Sequence, residues 1–199
     1  MIHPDSELRF VGASIGYGVF ATRLIPKGTI TWAGDPLDQI ISPTRLEALP
    51  ELLRIHAQKY SYLNVCGDRI LCWDHGRFVN HSCAAACLSP GFDSFEIAVR
   101  DIAPGEEITD DYGTLNLEPF RCFCGAPNCR GQVLPDDPVR HAAGWDRLIA
   151  AAFPAIDRVD QPLWDLLQEK TAIRQVLAGE LASPSVLTLY RSIAMGQPA

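Results

Sequence analysis

The sequence predicts a mainly β, α+β chain with a helical tail, on three observations. Up to Gly113 the apolar runs are short and broken by glycine and proline, the pattern of brief strands joined by tight turns. From Val133 onward, prolines punctuate longer stretches with helical spacing. Between the two, Cys122-Phe-Cys124-Gly-Ala-Pro-Asn-Cys129 brings three thiols into one loop, a spacing suited to a metal ion.

In chain order, residues 7–34 read as short strands. Within them Gly16-Tyr17-Gly18-Val19-Phe20-Ala21 formally matches a dinucleotide-binding G-x-G-x-x-A, but that motif should open a helix, and Pro26 and Gly28 follow almost at once. A plain hairpin turn, or a turn whose glycines let backbone amides approach a ligand, both fit. Residues 42–59 form the first helical stretch: Ser42 and Pro43 supply a cap and first turn, Thr44 and Glu47 a capping box, and Pro50 bends or splits the segment. Tyr60 and Tyr62, two apart, would share one face of a strand, where core packing is the bland reading. Residues 65–72 suggest a hairpin around Gly67-Asp68 and residues 95–102 a strand, with a turn at 103–106. Helices are predicted at about 139–152, 162–178 and 184–194, with Leu163, Leu166, Leu167, Ile173, Val176 and Leu177 as one apolar stripe.

The chain has 199 residues, 47% hydrophobic and 21% charged, an ordinary globular composition. No apolar run approaches the roughly 20 residues of a membrane span, and MIHPDSELRF lacks the basic start and apolar core of a signal peptide. The expectation is a soluble protein in a reducing compartment. Seventeen basic against 24 acidic residues give a net charge of −7, which disfavours direct nucleic-acid binding and suits a basic partner. Seven unevenly placed cysteines argue against a disulfide framework. Three thiols call for a fourth zinc ligand from elsewhere, and Arg121 and Arg130 flank the loop to offset thiolate charge; reduced cysteines in a loop are the plain alternative.

The stretch Arg77–Cys83 (RFVNHSC) gathers an arginine, an aromatic, an asparagine, a histidine and a cysteine. Together with GEEITDDYG at 105–113, CFCGAPNCRG at 122–131 and the turn GYGVFA with IPKG at 25–28, in that chain context, it resembles the signature blocks of SET-domain protein-lysine methyltransferases. The resemblance covers about residues 8–132. It implies a SET fold of small curved sheets with a pseudoknot (residues 1–115, helical insert about 42–60), a post-SET zinc loop (116–132) and a helical extension (133–199) that would wall the substrate groove or make a dimer. It implies S-adenosylmethionine as cofactor, held by Gly16, Tyr17, Gly18, Arg77, Phe78, Asn80, His81 and Phe123. Cys83 would join Cys122, Cys124 and Cys129 around one structural zinc ion. Tyr112 would be the catalytic tyrosine and Tyr62, ahead of Tyr60, the second tyrosine of the substrate channel.

The implied activity is transfer of methyl to a lysine of a protein substrate, in a histone-like or other basic segment; a catalytically inactive SET-like interaction module is the alternative. The location would be cytoplasmic, or nuclear for a histone substrate. Such a reaction needs alignment and a neutral amine, and neutralising a lysine at pH 7.4 costs about 4 kcal/mol, which an aromatic channel lowers by desolvation. The chain departs from the family at three places: Asp110 where Phe or Tyr is usual, Trp73-Asp-His-Gly76 where Gly-Asn is usual, and Ala84-Ala85-Ala86 after the cysteine.

Overall fold

A computed structural model describes residues 1–115 and 119–190. Among them are four small sheets. β1 (Ser6–Gly12) and β2 (Gly16–Ala21) form an antiparallel hairpin. β3 (Ile30–Ala33), β9 (Phe95–Ala98), β8 (Cys87–Leu88), β10 (Thr109–Asp110) and β7 (Asn80–His81) make a five-stranded sheet in that spatial order. β4 (Gln39–Ile41), β6 (Arg69–Leu71) and β5 (Tyr62–Leu63) make the third, and β11 (Phe120–Arg121) with β12 (Gln132–Val133) the fourth. β10 lies between β7 and β8, parallel to both. Strands adjacent in sequence are thus parted by a later one, which threads the chain and fixes the 77–83 block against the 105–113 block.

Pro50 splits the first helical segment into α1 (Pro43–Glu47) and α2 (Glu51–Tyr60), as expected of a residue without an N–H to donate; the Ser42 hydroxyl caps α1 by accepting the Arg45 N–H. The 65–72 hairpin is displaced: its first strand is Tyr62–Leu63, because the Asn64 side chain closes the turn by accepting the N–H groups of Cys66 and Asp68. The strand predicted at 95–102 ends at Ala98. In the tail, α3 (Asp137–Ala152) matches the prediction, whereas 162–178 resolves into a 3-10 turn at Trp164–Leu166 and α4 (Lys170–Leu177). Of the last predicted helix, 187–190 are helical, and 191–194 lie outside the described residues.

Ile30, Leu88, Phe95 and Ile97 of the central sheet pack with Ile149, Phe153, Ile156, Leu163, Leu167 and Ile173 of the tail in one core. The tail is therefore not a separate unit but the far wall of the sheet. A second core, built on Val19, Ile25, Ile102 and Ile108, sits under the β1–β2 hairpin, whose β2 is stitched to the acidic block by Ala21 N–H to Glu106 O and Ile108 N–H to Val19 O.

Candidate active site and metal centre

Three sequence blocks meet at Asn80. Register places Thr109 opposite Asn80 and Asp110 opposite His81. The Asn80 amide donates to the Tyr17 carbonyl at 3.0 Å and to Glu107 Oε1 at 2.7 Å. Gly18 leaves room for this pair: a Cβ would come within 2.2 Å of Glu107 Oε1 and 2.9 Å of Asn80 Nδ2, so either side chain would have to turn away. Gly16 holds φ +93° and faces open space. Tyr17 meets Phe78 edge-on at 6.0 Å and the Arg77 guanidinium lies 5.1 Å over Phe78. Gly16, Tyr17, Gly18, Phe78 and Asn80 thus gather along one seam, with Arg77 over Phe78, whereas the His81 ring turns away to Tyr112 and Cys83. Phe123, the other cofactor candidate, is 74% exposed beneath Arg121.

Beyond this seam opens a cavity of about 140 Å³ whose walls include Tyr60, Tyr62, Tyr112, Trp32, Glu96 and Asp110. Both tyrosines proposed for the substrate channel, and the alternative Tyr60, are in its lining. Tyr62 packs edge-on to Trp32 at 5.5 Å and Tyr60 to Phe78 at 5.5 Å. The Tyr112 hydroxyl donates to the Val79 carbonyl at 2.5 Å. Burial, then the nearby Asp110, Glu96 and Glu107 carboxyls, push the Tyr112 phenol far above its ordinary range; burial, then Cys72, Asp93 and other acidic groups, do the same for Tyr62. Both are neutral hydroxyls near pH 7, able to donate and to accept but not to serve as bases.

Cys83 arrives from the β7–β8 loop to face the cysteine loop. Its Sγ is 3.8 Å from that of Cys122, and Cys129 Sγ is 3.7 Å from Cys122. Those are the edges expected of a tetrahedron with ~2.3 Å zinc–sulfur arms, which measure about 3.8 Å. Cys124 contacts Cys122 and Cys129, and the Cys83 N–H reaches its sulfur at 3.4 Å. The donor set fits one zinc ion. Burial acts to raise the Cys124 thiol, but the Cys83 and Ala126 N–H groups and the thiols of Cys122 and Cys129 outweigh it and bring it down to about 6. Asn128 pins the loop by donating to the Cys83 carbonyl at 2.9 Å.

His81, Cys83, Cys122 and Cys124 have ligand atoms within 4.8 Å of one another, so His81 competes with Cys129 as a ligand on distance alone. Its ring is also engaged at the other nitrogen. Nδ1 accepts the Tyr112 N–H at 3.1 Å, and burial lowers the ring's pKa and keeps it neutral. The proton of the neutral imidazole is then on Nε2, which stands 3.3 Å from Cys83 Sγ and donates to it. His81 is therefore the bridge between the metal centre and the backbone of Tyr112. Phe120 closes over both rings, 5.7 Å from His81 and 6.0 Å from Tyr112.

A buried ion network fastens this centre to the tail. Arg130 grips Asp111 with both terminal nitrogens at 2.7 and 2.6 Å, and its Nε is 3.2 Å from Asp137 of α3. Trp145 Nε1 adds a hydrogen bond to Asp111 at 3.2 Å. The Arg130 guanidinium is thus held by two carboxylates, and what reaches the metal centre directly is its backbone N–H, 3.4 Å from Cys83 Sγ. The Trp73–Gly76 departure also has a structural cause. Trp73 Nε1 donates to the Asp35 carboxylate at 3.0 Å and Asp74 caps the following 3-10 turn through the Gly76 N–H at 2.9 Å.

Sequence reading did not single out Glu96, Glu107, Phe120, Trp32 or the Asp111–Arg130–Asp137 network. Glu96 carries a misleading signal, since alternation with Phe95 and Ile97 puts it on the solvent face of an edge-like strand, whereas β9 is internal and that face fronts the cavity. Glu107 lies inside the 105–113 block but nothing there marks its contact with Asn80, and Phe120 carries no local signal.

Residues 16–113 match the SET domain family model. A histone-lysine N-methyltransferase, H3 lysine-36 specific, of Mycosarcoma maydis is 29% identical over 161 residues, 73% of this chain and 16% of that protein. A variant-silencing SET domain-containing protein of Plasmodium falciparum is 33% identical over 129 residues, 57% of this chain and 5% of its own length. The chain therefore spans less than a fifth of the length of either relative. Among solved structures, the methyltransferase domain of human histone-lysine N-methyltransferase SETMAR has a TM-score of 0.46 and 25% identity, covering 67% of this chain and 58% of that one.

Proposed function

This chain belongs to the SET-domain family, and we propose that it is an S-adenosylmethionine-dependent protein-lysine N-methyltransferase acting on a lysine in a basic segment of a protein. The observation that carries the reading is that Tyr62 and Tyr112 line one cavity directly beside the Asn80–Gly18 seam. The seam fits the cofactor: Gly16, Tyr17, Gly18, Arg77, Phe78, Asn80 and His81 would hold it, with Gly16 open to space and Tyr17 half-exposed. When bound it supplies a methyl carbon on a sulfonium, already a good leaving group.

The chain's own residues then align the acceptor. Tyr112, which gives its hydroxyl proton to Val79 O, keeps its oxygen lone pairs for an amine N–H and so turns the nitrogen lone pair. The aromatic wall of Tyr60, Tyr62 and Trp32 excludes water and disfavours the charged ammonium. The four cysteines would hold one structural zinc ion, which ties β7 to the 120–133 loop. Basic substrate segments, histone tails among them, match the net charge of −7; a nuclear location would follow for a histone, and the free thiols call for a reducing compartment either way. A dimer through the tail draws no support from its apolar face, most of which is buried against the sheet.

Labelled S-adenosylmethionine and zinc-loaded protein on an array of basic peptides test the assignment. Label on lysine-containing peptides, lost from their arginine-substituted copies, is the expected result. An array without label, from protein that binds the cofactor in calorimetry, would leave the interaction-module reading in its place.

A further inference from the structure

The lining of the cavity includes the carboxyls of Glu96 and Asp110. Asp110 is 1% exposed; its Oδ1 accepts the Asp111 N–H at 2.6 Å, and its carboxyl stands within hydrogen-bonding reach of the Glu96 carboxyl, a contact that needs a proton on one of the two. Glu96 of β9 sets its carboxyl beside it in the same lining. Two buried carboxyls with no cation between them are costly to ionise, and the cations at hand are turned elsewhere. Lys59 Nζ lies 5.1 Å over the Tyr60 ring, and Arg77 donates to the carbonyls of Cys72 and Trp73 at 3.4 Å each. The pair is thus an anionic stretch of an aromatic channel's lining, beside two tyrosines that cannot act as bases.

We propose that Glu96 and Asp110 form the acceptor for the substrate's ammonium group and take one proton from it, a role that rests on the methyl-transfer reading above. Two carboxyls this close do not both ionise readily, so near neutral pH they hold about one negative charge between them. In the step, an N–H bond of the ammonium breaks and its proton passes to a carboxylate oxygen of the pair. The freed lone pair on nitrogen forms the bond to the methyl carbon, and the electrons of the carbon–sulfur bond leave on sulfur. The product methylammonium carries the positive charge away, and the pair returns its proton to water through the cavity mouth. The titratable groups facing the pair are Cys87 from β8, Asp111 and Tyr112 after β10, and Tyr62 from β5. Burial, with Glu96 and Asp111, raises Asp110, and burial lifts Glu96 to about 7, the range useful to a general base at physiological pH.

The test uses the zinc-loaded full chain and the variants Asp110→Asn, Glu96→Gln and the double. These are isosteric, and the amide oxygen that Asp110→Asn introduces in place of Oδ1 can still accept the Asp111 N–H, so a retained melting transition is the check on folding. Without cofactor, butylammonium, which reproduces the charged end of lysine, should bind the wild type at pH 8 and raise its melting temperature where 1-butanol does not. The double variant should lose about tenfold or more of that affinity. With cofactor, single-turnover transfer to a lysine peptide should be slow in the double variant at pH 7 and recover as pH approaches the free-amine pKa of about 10.4, a rescue that a merely structural role would not produce. No preference for butylammonium in the wild type, or a double variant with the wild-type pH profile, would overturn the proposal. Should the wild type hold butylammonium through the pair yet methylate nothing, the acceptor site stands and the methyl-transfer reading falls; lysine methylation unchanged in the double variant means the reverse.

Discussion

Gly18 and Arg130 show how much of the site hangs on single residues. A methyl group at Gly18 would occupy the space in which Asn80 bonds both Tyr17 and Glu107, so Gly18→Ala turns the Glu107 and Asn80 side-chain ends away and breaks those bonds where cofactor would lie. Calorimetry should find S-adenosylmethionine affinity lower by tenfold or more, about 1.4 kcal/mol, with the melting temperature nearly unchanged because the collision is at the protein's margin. Arg130→Ala has the opposite signature. It leaves Asp111 and Asp137, both about 2% exposed or less, buried without their shared cation, which should cost about 3–5 kcal/mol in denaturant unfolding. Glycines in a G-x-G run and an arginine after a cysteine were visible in the sequence, but the reason each matters is a partner more than 60 residues away for Gly18 and 19 residues away for Arg130, which no local pattern carries.

Among elements, two-residue strands do the positioning. β7 and β10 are each too short to be stable alone, and hold register because β8 and the metal loop flank them. The signature blocks were legible because their residue types are demanded by chemistry. The strand order was not, since the insertion of β10 between β7 and β8 is set by long-range pairing rather than by periodicity. The tail was legible as helices but not as core: Ile173 is fully buried against the sheet, and an apolar stripe says only that something covers it. The coupling through His81 gives an element-level expectation. Chelating zinc should release the 120–133 loop and, through Cys83 and His81, loosen Tyr112. Hydrogen exchange at the Tyr112 and Cys129 amides should rise on chelation while Phe95–Ala98 stays protected. Uniform loss of protection would mean instead that the metal holds up the whole fold.

For the molecule as a whole, the acidic pair in the cavity lining leaves a pH signature. Glu96 and Asp110 both have folded pKa values above their unfolded ones, so the folded chain binds more protons than the unfolded chain between about 4.5 and about 7. The sign follows: the pair's contribution is most favourable below the unfolded values and is lost as pH rises through the folded ones. Asp110→Asn removes that penalty. Calorimetry should find the variant more stable than wild type by about 3 °C or more at pH 8, with the gap narrowing toward pH 5; a lower melting temperature at both pH values would make Asp110 a structural residue. Family and chemistry were thus legible from four short blocks, whereas Glu96 and the channel's charge appeared only once the strands were folded together.

The central claim is that a lysine and S-adenosylmethionine meet at Tyr112. Its most direct measurement is intact-mass analysis of an array-selected lysine peptide after incubation with zinc-loaded wild type or Tyr112→Phe, with cofactor binding measured in parallel. Wild type should add one methylene, or a multiple of it, to the peptide mass, and Tyr112→Phe should be slower by about a hundredfold or more with cofactor affinity kept. A wild type that gains no mass on the peptide, or a Tyr112→Phe protein that methylates as fast, would contradict it.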